Sequence, residues 1–335
     1  MNRIAFIIGD RSIYWSSILL TIAAAVAVCV FLTLYLRKEN RGVAAATVVP
    51  MAIVLSLFLA RFVHWYCRWN SYPGMLEALT NLSSGSFALM GVFAGCFLTA
   101  VIVRLLRLTD NLPEMLDCMA LGGAAGIAVG RMASFFDTTA RGLLVENVRT
   151  LPWVYPIVNG VSGAEEYRLA TFLFQAVVTG LIFLVLLATY LKEEKRGTGK
   201  DGDICLLFAL SYGASQVVLD STRYDSLFFR SNGFVSIVQV LGALGIGLAI
   251  IVFSVRMVRA RGWDYRYLAL WLVTAGLLGL GGYMEYHVQR HAAEAVFAYS
   301  VMSACLLGLI SMGVFIRHLA KSERKERYAG RFAAR

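Results

Sequence analysis

Apolar residues in this chain run in blocks of about twenty, the length a helix needs to cross the hydrocarbon core of a bilayer. The clearest blocks are 13–36, 43–66, 86–103, 169–191, 203–221, 233–255, 266–283 and 295–316. A ninth, 114–136, is softer, rich in Gly and Ala and carrying Asp117 and Arg131. A backbone immersed in lipid must satisfy its own hydrogen bonds, which helices do. The pattern therefore predicts an all-α, polytopic membrane bundle of about nine transmembrane helices. Composition agrees, with 59% hydrophobic and 16% charged residues among 335, where soluble chains average about 45–50% and about 25%.

A net charge of +10 would suit a nucleic-acid partner, but its distribution points to a membrane instead. With the N-terminus outside, the odd-numbered connections and the C-terminal tail hold 20 Lys and Arg residues, and the opposite side holds nine. Basic residues accumulate on the cytoplasmic side of membrane proteins. The expected topology is thus N-terminus outside and C-terminus cytoplasmic, and it requires the soft ninth helix. Block 13–36 lacks a small-residue cleavage site behind a short apolar core and reads as a retained helix. The six cysteines are scattered without a CxxC pair and read as buried apolar residues. No phosphate-binding loop or dinucleotide fingerprint occurs, and no cofactor or metal is expected.

Two outer connections are long. Residues 67–85 hold aromatics and Pro73, and residues 137–168 hold Pro152, Trp153, Pro156 and several charges. Long connections are often functional, and those on the basic side are brief. Gly122, Gly126 and Gly130 recur every four residues, and Gly91 and Gly95 do the same, a spacing that lets helices pack closely in lipid.

Ionisable residues inside membrane spans mark function by default. Arg61, Arg131 and Asp220 lie within about five residues of the outer ends of their spans, under roughly 8 Å from the interface at helical rise. Asp117 lies at the other end, roughly 21 Å from Arg131 by the same rise. Arg61 admits two readings, a snorkelling anchor or a ligand for a lipid phosphate. Arg131, behind a glycine face, suits phosphate better, because a guanidinium presents a planar fork of donors. His64, one turn beyond Arg61, is the only histidine placed to act as a base. His287 and His291, spaced i, i+4 near Glu285 and Glu294, read as a polar helix end in preference to a metal site.

Several motifs fall in a recognisable order. Ala60-Arg61 precedes an aromatic stretch, and a Gly-rich segment runs Gly85-SFALM-Gly91-VFA-Gly95. Asp117 begins DCMALGGAAGIAVGRMASFF, ending at Phe136 and followed by Arg141-Gly142. Residues 170–175 read ATFLFQ, then comes Tyr212-Gly213-ASQVVL-Asp220-ST-Arg223-Tyr224-Asp225, with Gln239 beyond. Over roughly residues 1–255 this order resembles the bacterial prolipoprotein diacylglyceryl transferases. In that family a helix beginning with Leu-Asp leads into Gly-Arg-x-Gly-Asn-Phe, and Pro-Thr-x-Leu-Tyr-Glu and Tyr-Gly-x-x-Arg follow.

The resemblance implies an enzyme of the bacterial inner membrane that moves the diacylglyceryl group of phosphatidylglycerol, or another anionic phospholipid, to the cysteine thiol of a prolipoprotein lipobox. It implies catalytic roles for Arg131, Tyr212 and Asp220, and lipid binding by Arg61, Arg131, Gln216 and Gly142. Some family positions are substituted. The His before a Gly pair falls on Met90, the signature Asn on Ser134, the following Glu on Thr139 and the second Arg on Gln216, while the acid after it is the shorter Asp220. A catalytically impaired relative that binds lipid or lipoprotein, or that scaffolds a membrane complex, is therefore the alternative. The expected organisation is a seven-helix domain over 1–255, two further helices over 256–317 and a solvated basic tail over 318–335.

Overall fold

The computed structural model describes residues 4–9, 11–37, 41–80, 86–109, 111–137, 139–145, 154–158, 164–231, 235–291 and 294–333. Pro152, Trp153 and Gly85 lie outside the described residues. Among the described residues, eight helices are long and apolar enough to cross a membrane, and a ninth, shorter apolar helix spans Leu89–Leu105. In chain order the helices are α1 (Trp15–Tyr35), α2 (Gly42–Cys67), α3 (Met75–Thr80), α4 (Leu89–Leu105), α5 (Leu112–Arg131), α6 (Thr171–Arg196), α7 (Asp203–Ser221), α8 (Ile237–Arg261), α9 (Arg266–Arg290) and α10 (Ala295–Ala333).

Small residues decide which helices meet. A methyl group on Gly122 would stand 2.5 Å from the Ala27 carbonyl oxygen of α1, and one on Gly126 would stand 2.8 Å from the Ala27 Cβ. A methyl on Gly95 would meet the Ser56 Cα of α2 at 2.5 Å, and one on Gly213 would meet the Gly242 carbonyl oxygen at 2.7 Å. The pairs α1–α5, α2–α4 and α7–α8 pack extensively on these contacts. α5, flanked by α1, α6 and α7, is the most buried span. α9 and α10 pack on each other, and α10 also lies against α7 and α8.

Helix ends follow local chemistry. Asn111 caps α5, accepting from the Glu114 amide, with Pro113 in the first turn. Gly197, left-handed at φ 61°, closes α6. Ser236 and Gln239 form a reciprocal capping box at α8. The chain departs from the expected pattern at four places. Residues 4–8 and 11–14 form an antiparallel hairpin before α1 (β1 and β2). The long connection after α5 contains a second hairpin, β3 (Val154–Val158) with β4 (Glu165–Leu169), and the connection 67–85 contains α3. Finally, α10 runs on to Ala333 where a solvated tail was expected. The run KSERKERYAG is made largely of good helix formers, and it extends a helix already nucleated by the apolar span.

One end of the bundle is a closed set of ion pairs, here called the basic end. Asp203 at the start of α7 is paired with Arg256, with Arg317 (2.9 Å) and with Lys321 (3.0 Å). Glu193 takes Arg317 and Lys321 at 2.7 Å each, and Arg41 pairs with Glu114 at 2.7 Å. Asp117 accepts the backbone N–H groups of Gly202 and Cys205, each at 2.7 Å. This intramembrane carboxylate is therefore a cap on α7, aligned with the positive end of the helix dipole.

Candidate functional site at the opposite end of the bundle

At the other end, α5, α6 and α7 bring the candidate residues together. Arg131 is the last residue of α5, where a 3-10 turn over Met132–Phe135 takes over. Tyr212, Gln216 and Asp220 repeat every four residues along α7 and so share one face. The Tyr212 hydroxyl lies within electrostatic reach of Arg131, Arg223 and Asp220. Its ring is held by Phe208, stacked at 5.1 Å, and by Phe93 of α4, edge-on at 5.6 Å.

Asp220, 1% exposed, is a hub. Its Oδ2 accepts from Ser236 Oγ at 2.5 Å, and its Oδ1 accepts from Arg223 Nη1 at 3.1 Å. Arg223 Nε also donates to Asp225 Oδ1 at 2.9 Å, and Asp225 Oδ2 accepts the Ala140 amide at 2.9 Å. The loop after α5, the end of α7 and the start of α8 are thus tied through one guanidinium. Burial pulls the Arg223 pKa down, but Asp225 and Asp220 outweigh it and hold the group firmly charged.

Arg131 differs from its neighbours. Among the described residues it pairs with no carboxylate, and its buried Nε has no hydrogen-bond partner. Among the described residues, Gln175 Oε1 and Thr179 Oγ1 are likewise buried without a partner, and the buried Tyr212 hydroxyl, which interacts with Arg131, makes no well-formed hydrogen bond. Gln175 and Thr179 lie one turn apart on α6. At membrane depth each unmet group costs on the order of 1–3 kcal/mol, and a polar region of this kind calls for a polar ligand or ordered water.

The other predicted residues take different places. Arg61, 1% exposed, donates from Nε to the Ala78 carbonyl (2.5 Å) and from Nη1 to the Ser86 carbonyl (2.7 Å). Its guanidinium also covers the rings of Tyr72 and Phe87. It therefore anchors the α2–α4 connection to α2 and does not extend to the interface. Gly142 lies where a side chain would strike Leu169 of the hairpin and Thr171 of α6, since an added methyl would stand 2.9 Å from Leu169 Cβ. Its amide donates to the Leu169 carbonyl at 2.8 Å. His64 is bonded through Nδ1 to the Tyr72 hydroxyl at 3.0 Å. His287 and His291 stack at 4.5 Å, and His287 meets Glu294 at 2.9 Å. Among the described residues no three metal-ligating side chains converge.

The substituted positions meet one another. Gln216 Oε1 accepts from Gln175 Nε2 at 3.0 Å, both fully buried, so amides face each other where the family motifs carry Glu and Arg. Ser134 Oγ lies 3.4 Å from Thr139 Oγ1, so two hydroxyls replace an amide and an acid. Met90 is buried in the core. The sequence reading missed Ser236 as the partner of Asp220, although the Ser-x-x-Gln capping pattern was readable. Gln175 was matched to a motif but not assigned to the site. Two apolar grooves, about 630 Å³ between α8 and α9 and about 580 Å³ among α6, α7 and α10, open elsewhere and are not lined by Arg131, Tyr212 or Asp220.

Comparison with known proteins accords with this arrangement. The family model for prolipoprotein diacylglyceryl transferase matches residues 3–255. Among similar proteins, the phosphatidylglycerol--prolipoprotein diacylglyceryl transferase of Streptococcus agalactiae (serotype Ia) is 25% identical over 259 residues, 76% of this chain and 97% of the relative. The enzyme of the same name from Lactococcus lactis subsp. cremoris is 26% identical over 262 residues, 77% of this chain and 96% of its own. That of Acaryochloris marina is 27% identical over 253 residues, 73% and 87% respectively. With the ordered motifs, the membrane-spanning helices and a match over three quarters of its length, this chain belongs to the prolipoprotein diacylglyceryl transferase family.

Proposed function

We propose that the protein moves the diacylglyceryl group of phosphatidylglycerol, or of another anionic phospholipid, to the thiol of a prolipoprotein lipobox cysteine, with Arg131 as the phosphate ligand. The observation that carries this reading is the contrast at Arg131. Among the described residues it is a guanidinium with no carboxylate partner, facing a buried tyrosine hydroxyl that interacts with it but makes no well-formed hydrogen bond. A phosphate would complete both. The donors stand fixed before charge develops, which is the arrangement that stabilises a leaving anion. Asp220 acts by holding Arg223, and Gln216 lines the site as a neutral group. Arg61 and Gly142 shape the surrounding loops.

The thiol sulfur forms a bond to the glycerol carbon, the carbon–oxygen bond to phosphate breaks, and glycerol-1-phosphate departs. The thiol proton leaves with glycerol-1-phosphate and, since that phosphate's second pKa is about 6, passes on to water.

By the distribution of Lys and Arg, the basic end faces the cytoplasm of a bacterial inner membrane, and the site opens toward the outer face. Residues 1–255 form the transferase unit. A second reading, a relative that binds lipid or lipoprotein without transferring, is favoured by the paired replacements at Gln175–Gln216 and Ser134–Thr139. One experiment separates the two readings. The protein is expressed in cells depleted of their own transferase, and the mass of a model lipobox protein is followed. A diacylglyceryl mass gain supports transfer, and a correctly inserted protein that gives none leaves only the binding reading.

A further inference from the structure

Helices α9 and α10 lie beyond the residues matched by the family, 3–255, yet they grip α7 at both ends. At the basic end, Arg317 and Lys321 of α10 reach Asp203, the first residue of α7. At the site end, the contact falls on Ser221, the last residue of α7 and the neighbour of Asp220. Glu285 of α9 is 6% exposed, and its Oε1 accepts from Ser221 Oγ at 3.1 Å and from Gln289 Nε2 at 3.0 Å. Its Oε2 is buried with no hydrogen bond. Tyr299 of α10 brings its hydroxyl 3.3 Å from Ser221 Oγ and donates to the Ser221 carbonyl, also at 3.3 Å.

A carboxylate buried in an apolar span is expensive, and this one is directed at a single residue of the neighbouring helix. The last carbonyls of a helix also lack intrahelical partners. Here the Asp220 carbonyl accepts from Ser226 Oγ at 2.8 Å and from the Arg223 amide at 3.1 Å, while that of Ser221 is met by Tyr299. The polypeptide leaves α7 in the direction these bonds allow, and Arg223 and Asp225 follow within four residues.

We propose that Glu285 and Tyr299 are positioning residues. They fix Ser221 from the added helices and so set the direction in which Asp220 holds Arg223 toward the anion bound at Arg131. The role in the anion site rests on the function proposed above, but the clamp on Ser221 does not, and the test separates them.

The full-length protein in phosphatidylglycerol-containing nanodiscs is compared with Glu285→Leu, Glu285→Gln and Tyr299→Phe by amide hydrogen exchange. Loss of the clamp should speed exchange over 222–226 about tenfold in the Leu and Phe variants, the effect of one lost hydrogen bond on local opening. Glu285→Gln, which still accepts from Ser221, should restore protection, and α1–α5 should not change. Equal exchange in all four proteins overturns the proposal whether or not the protein transfers anything.

The link to the anion site is read from phosphatidylglycerol affinity in a double-mutant cycle. Glu285→Leu should weaken binding several-fold in the wild-type background and have no effect in Arg223→Ala. Additive losses would make Glu285 a structural residue only and overturn the positioning role. If Arg131→Ala leaves lipid affinity unchanged, the proposed function fails on that arm, and the positioning role fails with it. The exchange data still decide the clamp.

Discussion

The two ends of this bundle use charge in opposite ways. At the basic end the buried and half-buried carboxylates are answered: Asp203 by Arg256, Arg317 and Lys321, Glu193 by two cations, Glu114 by Arg41, and Asp117 by two backbone amides. At the site end Asp220, Arg223 and Asp225 are equally well paired, but beside them Tyr212 makes no well-formed hydrogen bond and Arg131 has no carboxylate among the described residues. Paired charges hold helices in place. A group left incomplete inside such a frame is held ready for something the protein does not itself supply.

The contrast predicts different consequences at the two ends. Asp203→Ala should cost the most, about 3–5 kcal/mol of stability, because it leaves three cations around a buried vacancy. Thermal unfolding in detergent would show it, and a variant as stable as the parent would mean that the cluster is solvated and idle. Arg131→Ala should do the reverse. Its unfolding should be unchanged, while lipobox modification falls by about 10²–10³-fold, the cost of losing one preorganised donor. A loss of stability with retained transfer would place Arg131 among the structural charges.

The amide pair offers an intermediate effect. Gln175→Glu with Gln216→Arg should raise transfer by about tenfold, since it adds a charged donor beside Arg131 while keeping it paired. Each single change should do worse than the double, and additive singles in an activity assay would show that the two positions are not coupled. Smallest is Asp117→Ala, expected to lower stability by about 1 kcal/mol as a lost helix cap, with transfer unaffected. Reduced transfer at unchanged stability would give this carboxylate a role at the wrong end of the molecule.

The helices were legible in the sequence because their cause is local: an apolar run of membrane length forms a helix whatever surrounds it. The depth of Arg131 and Asp220 followed from counting along those runs, and the ordered motifs pointed to the family. The continuation of α10 was missed because a charged run reads as solvated, whereas Arg317 and Lys321 find their carboxylates on other helices. The two hairpins were missed because short strands in long connections carry little periodicity.

By itself, then, the sequence determined the spans and their lipid environment, and it singled out the polar residues within them. Only the tertiary structure decided what each polar residue touches. It assigned Arg61 to the carbonyls of a loop, Gln216 to Gln175, Asp220 to Ser236 and Arg223, and Glu285 to Ser221. Hydrophobicity acts on each segment separately, so a one-dimensional pattern records it. Hydrogen-bond partners lie on helices distant in the chain, and the rotation and approach of those helices are set by the glycine contacts between them.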